Sequence, residues 1–307
     1  MGAGPRRTAR RGPALCWWTA ELAVPDSSPG ERGKGQAALT LGPRRTYPVR
    51  VPAGPRGRSE ASPRLRMLPH HMRYRRVLLK LSGEALGRAE DGHGINPDAV
   101  KSFAKQIATV AAKGVEFAIV VGGGNILRGA QFSEAGAQRA SADYMGMLAT
   151  VINALALSDA LESLGVETRV QTAIEIRQLA EPFVSRRAKA HLDRGRVVIL
   201  GGGLGAPFFT TDTAAAQRAV ELGCEVLLKA TKVDGVYTAD PKKVKDAERL
   251  SEVSYADVLS KQLRVMDGTA IAFCMEHGLP VIVFDLFREG NLERVIQGED
   301  LGTKIRS

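Results

Sequence analysis

Arg75-Arg76-Val77-Leu78-Leu79-Lys80-Leu81-Ser82-Gly83 reads as a buried strand that runs into a glycine turn, with one lysine set among its apolar residues. The pattern returns twice. Glu116-Phe117-Ala118-Ile119-Val120-Val121 enters Gly122-Gly123-Gly124, and Arg196-Val197-Val198-Ile199-Leu200 enters Gly201-Gly202-Gly203. Helices separate these strands. Asn96-Pro97-Asp98 supplies an N-cap, a first-turn proline and an acid for a helix running to about Lys113. A long helix is expected from Ser141 past Leu161 to Gly165, and shorter ones over about 185–193, 212–222 and 267–277. Further strands are expected over 167–173, 225–230 and 280–286, with a polar hairpin-like stretch after 230. Uniformly apolar strands alternating with helices predict an α/β protein, a three-layer αβα sandwich around a mostly parallel sheet. In such sheets ligands bind at the carboxyl ends of the strands, where the glycines lie here.

Composition narrows the function. The chain has 307 residues, 44% of them apolar and 25% charged, ordinary for a globular protein. Its net charge of +10 invites a nucleic-acid reading, but residues 1–71 contain 13 Lys and Arg against 4 Asp and Glu. The remainder is nearly neutral. Residues 1–71 also hold 10 of the 15 prolines and both tryptophans, Trp17 and Trp18, without helical or strand periodicity. A disordered extension over 1–71 and one domain over 72–307 are therefore expected. Three readings of the extension stand open: translation starting at Met67 or Met72, an Arg-rich transit peptide, or a basic arm for nucleic acid. Three cysteines without C-x-x-C spacing point to a reducing, cytoplasmic setting. No uninterrupted apolar run reaches the ~18 residues of a membrane span.

Backbone N–H groups freed by glycine approach anions closely, so several glycine loops on one sheet edge suggest a polyphosphate or two facing phosphorylated ligands. A single such loop needs no more than a tight turn. Neither a G-x-x-x-x-G-K-[ST] loop nor a strict G-x-G-x-x-G helix opening is present, which sets aside P-loop kinases and disfavours a nicotinamide oxidoreductase. Lys80 within its strand, Arg128 after Gly122 to Gly124, and Lys229 at the end of another apolar strand are candidate cations for a moving phosphoryl group. Each alone also fits a snorkelling surface residue. Asp212, in Thr210-Thr211-Asp212-Thr213, reads as a helix N-cap, an active-site acid, or both.

The segments Leu79 to Leu86, Val121 to Gly129, Asp143 to Thr150, Pro207 to Asp212 and Leu228 to Pro241 together resemble the bacterial uridylate kinases, members of the amino acid kinase family. The resemblance runs from Met72 to about Arg306 and leaves out residues 1–71. It implies transfer of the γ-phosphoryl group of ATP to UMP, with Mg²⁺, in pyrimidine nucleotide synthesis. It implies Lys80, Leu81, Ser82, Gly83, Gly124 and Arg128 at the ATP phosphates, and Thr231, Tyr237 and Asp240 at the ATP nucleoside. Gly123, Asp143 and the loop Leu204-Gly205-Ala206-Pro207-Phe208-Phe209-Thr210-Thr211 are implied at UMP, with Asp143 on the ribose hydroxyls. Lys80, Arg128 and Asp212 are implied as catalytic, and Asp212 and Asp267 as holding Mg²⁺. A homohexamer with GTP and UTP as effectors is implied as well, the stretch Arg88 to Gly94 lying where relatives bind GTP. Many relatives carry Thr and Asn where this loop has Leu204 and Ala206, which bears on base selectivity. The alternatives are a kinase of the same fold acting on a carboxylate or carbamate, and a nucleic-acid-binding role for the basic extension, whose affinity would collapse as salt rises.

Overall fold

A computed structural model describes residues 72–128, 132, 136–239, 244, 246–263 and 265–307. The extension expected over 1–71, and Asp240, lie outside the described residues. In chain order the elements are β1 (Arg76–Leu81), α1 (Gly83–Leu86), α2 (Pro97–Ala111), β2 (Glu116–Val121), α3 (Arg139–Glu162), β3 (Thr168–Thr172) and β4 (Glu181–Pro182). These are followed by α4 (Ser185–Leu192), β5 (Val197–Gly201), α5 (Thr211–Leu222), β6 (Val226–Thr231), β7 (Val236–Tyr237) and β8 (Arg249–Leu250). The last are β9 (Glu252–Ser254), α6 (Tyr255–Ser260), α7 (Gly268–Glu276), β10 (Val281–Asp285), α8 (Asn291–Gln297) and β11 (Thr303–Arg306).

Nine strands form one sheet in the order β4-β3-β5-β2-β1-β6-β10-β11-β9, and β7 and β8 pair separately. All neighbours in the large sheet run parallel except β10 and β11. The mostly parallel sheet is thus observed. Alternation sorts each strand between two cores. Val77, Leu79 and Leu81 of β1, with Phe117, Ile119 and Val121 of β2, pack toward α2, α3 and α8. Leu78, Ala118, Val120 and Leu227 pack on the opposite face toward α4, α5, α6 and α7. This same alternation puts Lys80 and Lys229 on the α5 side of the sheet, where they are register partners across β1 and β6.

Local chemistry sets the helix ends. Asn96 caps α2 by accepting from the Asp98 and Ala99 N–H groups at 3.0 and 3.4 Å. Gly223 ends α5 at φ +70°, a left-handed cap that suits glycine. Helix α3 is long and apolar enough, by length and composition, to cross a bilayer, with half of its most apolar window buried inside the fold. Midway along its buried face lies a polar pair, Asn153 on α3 and Asn125 of the glycine loop. Asn153 Nδ2 donates to Asn125 Oδ1 and to the Gly122 carbonyl, both at 2.7 Å, while Asn125 Nδ2 donates to Asn153 Oδ1 at 3.1 Å and to the Gly94 carbonyl at 2.6 Å. All four amide hydrogens are used, so the pair ties the loop after β2 to α3 and to the segment before α2. Asn153→Ala would leave the Asn125 and Gly122 carbonyls without a buried donor. We expect it to cost about 3 kcal/mol, read as a lower urea midpoint at unchanged slope.

Candidate functional site

The carboxyl ends of the neighbouring strands β2 and β5 open, with α3, onto one cleft, and the end of β1 adjoins that of β2. The loops after β1 and β2 press backbone to backbone. A Cβ on Gly83 would lie 2.7 Å from Gly124 N and 2.8 Å from the Gly122 carbonyl oxygen, and one on Gly123 would lie 2.7 Å from the Gly146 carbonyl oxygen of α3. Only glycine permits these approaches. The cleft, about 150 Å³, is bounded by Gly123 and Gly124 on one side, Asp143 on α3, and Leu204, Ala206, Phe209, Thr210 and Thr211 on the other. These are eight of the residues expected at the phosphates and the nucleotide. Of the same loop, Gly205 backs onto the Ala173 carbonyl, where a Cβ would come within 2.9 Å, and Phe208 points outward, 68% exposed. Gly146, Met147 and Thr150 also line the cleft and were not singled out from sequence. With Asp143 they fall at i, i+3, i+4 and i+7, a helical spacing that would have found them. Thr150 Oγ1 accepts from the Gly202 N–H at 2.7 Å and so joins α3 to the loop after β5.

Asp212, next in the chain to Thr211 of the cleft wall, belongs to a charged cluster. Lys80 Nζ lies 2.8 Å from Asp212 Oδ1, and Lys229 Nζ lies 2.6 Å from Asp212 Oδ2. The Lys80 contact is a close ion pair without an aligned hydrogen bond, whereas Lys229 also donates to the Val265 carbonyl. Asp212 does not cap its helix. Thr210 does, its hydroxyl accepting from the Asp212 and Thr213 N–H groups at 3.0 and 3.3 Å, which frees the Asp212 carboxylate to face the lysines. Burial works to raise the Asp212 pKa, but Lys80 and Lys229 outweigh it and hold the carboxyl below its usual range. Burial lowers the Lys229 pKa, with Asp212 pulling the other way.

Asp267 locks this cluster from the side. It accepts from Thr210 Oγ1 at 2.5 Å, from Thr213 Oγ1 at 3.0 Å on both oxygens, and from the Ala270 N–H at 2.9 Å as the cap of α7. Asp212 faces two ammonium groups and Asp267 is taken up by three donor groups, so the two carboxylates expected to hold Mg²⁺ do not fit a metal bound by the protein itself. Among the described residues no group of three His, Cys, Asp or Glu side chains could hold a metal ion. Arg128, beside Gly124, is paired with Glu84 of α1 at the cleft mouth. At the carboxyl end of β6, Thr231 Oγ1 donates to the Val233 carbonyl at 2.6 Å, and in β7 the Tyr237 hydroxyl donates to Asp234 at 2.7 Å.

This geometry has known counterparts. A family model described as the amino acid kinase family matches residues 75–285. A UMP kinase from Bacillus anthracis is 42% identical, with a TM-score of 0.74 over 76% of this chain and 96% of that one. A UMP kinase from Ureaplasma parvum is 35% identical, with a TM-score of 0.72 over 77% and 100% of the two chains. A uridylate kinase from Archaeoglobus fulgidus is 28% identical, with a TM-score of 0.57 over 75% and 99%. Matched along most of its length by the family and along nearly all of theirs by these enzymes, the chain belongs to the amino acid kinase family, among its UMP kinases.

Proposed function

We propose that the chain is a UMP kinase that transfers the γ-phosphoryl group of ATP to UMP, giving UDP and ADP in pyrimidine nucleotide synthesis. The observation that carries the reading is the Lys80–Asp212–Lys229 cluster, whose aspartate directly follows Thr211 in the wall of a glycine-lined cleft. An oxygen of the UMP phosphate attacks the γ-phosphorus as the bond to the bridging oxygen of ADP breaks. The attacking oxygen is already an anion and needs no general base, so the protein's work is to position and to supply charge.

Asp212 fixes the two ammonium groups and neutralises one of them, which leaves the cluster a net positive charge in a site largely closed to water. Arg128 adds a third cation. Its bond to Glu84 joins two side chains that are each 42% exposed, so it costs little to break when a phosphoryl group arrives. Ser82, Gly83 and Gly124 hold the ATP phosphates with Lys80, while Thr231, Tyr237 and Asp240 take its nucleoside. Gly123, Asp143 and residues 204–211 hold UMP, with Asp143 at the ribose hydroxyls. Mg²⁺ enters on the triphosphate, as is usual for an ion that dehydrates reluctantly and takes few protein ligands.

The chain's setting is cytoplasmic, with GTP and UTP as effectors of a homohexamer. Tyr144, Met145, Leu148 and Ile152 form an exposed apolar stripe on α3 suited to self-association.

The test is ADP formation with ATP, Mg²⁺ and, in turn, UMP, CMP, dUMP, acetylglutamate or carbamate. Turnover with UMP is expected; turnover confined to acetylglutamate or carbamate would reject the reading. The charge cluster also sets a pH dependence. Because burial holds Lys229 below the ordinary lysine pKa, turnover should fall on the alkaline side at a pH below that at which an exposed lysine loses its proton. Asp212 raises that pKa, so Asp212→Asn should move the alkaline limb to lower pH. A pH-rate profile whose limb stays in place would contradict this.

A further inference from the structure

The rim of the cleft carries an arrangement that phosphoryl transfer does not require. Arg139, the first residue of α3, sets its Nε 2.9 and 3.0 Å from the two oxygens of Asp143, one turn along. Its guanidinium lies over the Phe208 ring, 5.9 Å from the ring centre. The Phe208 N–H donates to Asp143 Oδ2 at 2.8 Å. Two contacts thus join helix to loop, Arg139 on the Phe208 ring and the Phe208 N–H on Asp143, and the Arg139–Asp143 pair within the helix couples them.

Phe208 needs such support. Its φ of +70° is left-handed, a conformation an L residue with a bulky side chain rarely adopts, and its ring is too exposed for burial to hold it there. Gly202, Gly203 and Gly205 share positive φ values of 76°, 57° and 75° and leave the loop otherwise free to change shape. Asp143 is itself oriented by Arg139. A carboxylate offers about four acceptor positions, and here Oδ2 receives two donors and Oδ1 one, so a hydroxyl pair would meet a carboxylate already aimed. Arg139 reaches both partners because a planar guanidinium can bond in its plane and lie against an aromatic face at once.

We propose that Arg139 is a positioning residue that latches the loop 203–209 over the cleft by holding Asp143 and Phe208 together, and thereby sets the affinity for the nucleoside monophosphate. The inference rests on the reading of this cleft as the nucleoside monophosphate site. It is tested first without nucleotide, by hydrogen exchange at the Phe208 amide in the full chain. Arg139→Ala should speed that exchange about tenfold, since the acceptor that protects it is no longer oriented. With substrates, the same variant should raise KM for UMP about tenfold while kcat and KM for ATP stay within about twofold. Adding Phe208→Ala to Arg139→Ala should bring little further loss, as expected of residues that act as one unit. Unchanged exchange at Phe208, or a fall in kcat at constant KM for UMP, would overturn the proposal. Turnover of UMP by the unsubstituted chain tests the underlying reading separately, and the exchange result stands whichever way that turns out.

Discussion

Two lysines directly opposite each other on neighbouring parallel strands, inside a protein, would repel and would each be costly to bury. Lys80 and Lys229 occupy that position, and Asp212 makes it tolerable by facing both. Much of the surrounding structure follows from this. The α5 helix must begin so that its second residue reaches the sheet, so the capping task falls to Thr210. Thr210 and Thr213 then bond Asp267, which caps α7 and stations the Val265 carbonyl on Lys229. Removing one member of a buried charged set leaves the others uncompensated, which is why such a cluster marks function more than stability.

The glycine loops form the second half of the site and obey a different constraint, that of contact distance. Gly83, Gly122 and Gly123 approach neighbouring backbone so closely that a methyl group cannot be inserted. The buried Asn125–Asn153 pair holds that arrangement by satisfying the carbonyls the tight packing would otherwise orphan. Since α3 carries Asp143, Thr150 and Asn153 within about three turns, the helix that frames the cleft also fixes the loop after β2 and, through Gly202, the loop after β5.

Much of this was legible in the sequence because the signals were local. Apolar runs marked the strands of the parallel sheet, three of them (β1, β2 and β5) running into glycine, and Asn96-Pro97-Asp98 marked the start of α2. The edge elements were harder. The short strands β9 and β11 and the helices α6 and α8 carry too few residues for periodicity to speak, and β11 joins the sheet antiparallel to β10 only because tertiary packing places it there. In the site, Lys80, Arg128 and Asp143 stand out in the sequence because a motif surrounds each of them. Roles that depend on partners distant in sequence were not. Nothing in Thr210-Thr211-Asp212 says which side chain caps the helix, and the Mg²⁺ assignment of Asp212 and Asp267 overlooked the donors that fold back onto both carboxylates.

If the paired lysines bridged by Asp212 stabilise the phosphoryl group in transfer, the single-turnover rate of Lys229→Met reads their contribution, because methionine keeps an apolar stem in the buried position and lacks the charge. With ATP and UMP both saturating, that rate should be lower by ~10²-fold or more, with UMP affinity within about threefold of the parent chain. A rate within about threefold of the parent, or a loss matched by an equal loss of UMP affinity, would contradict that role.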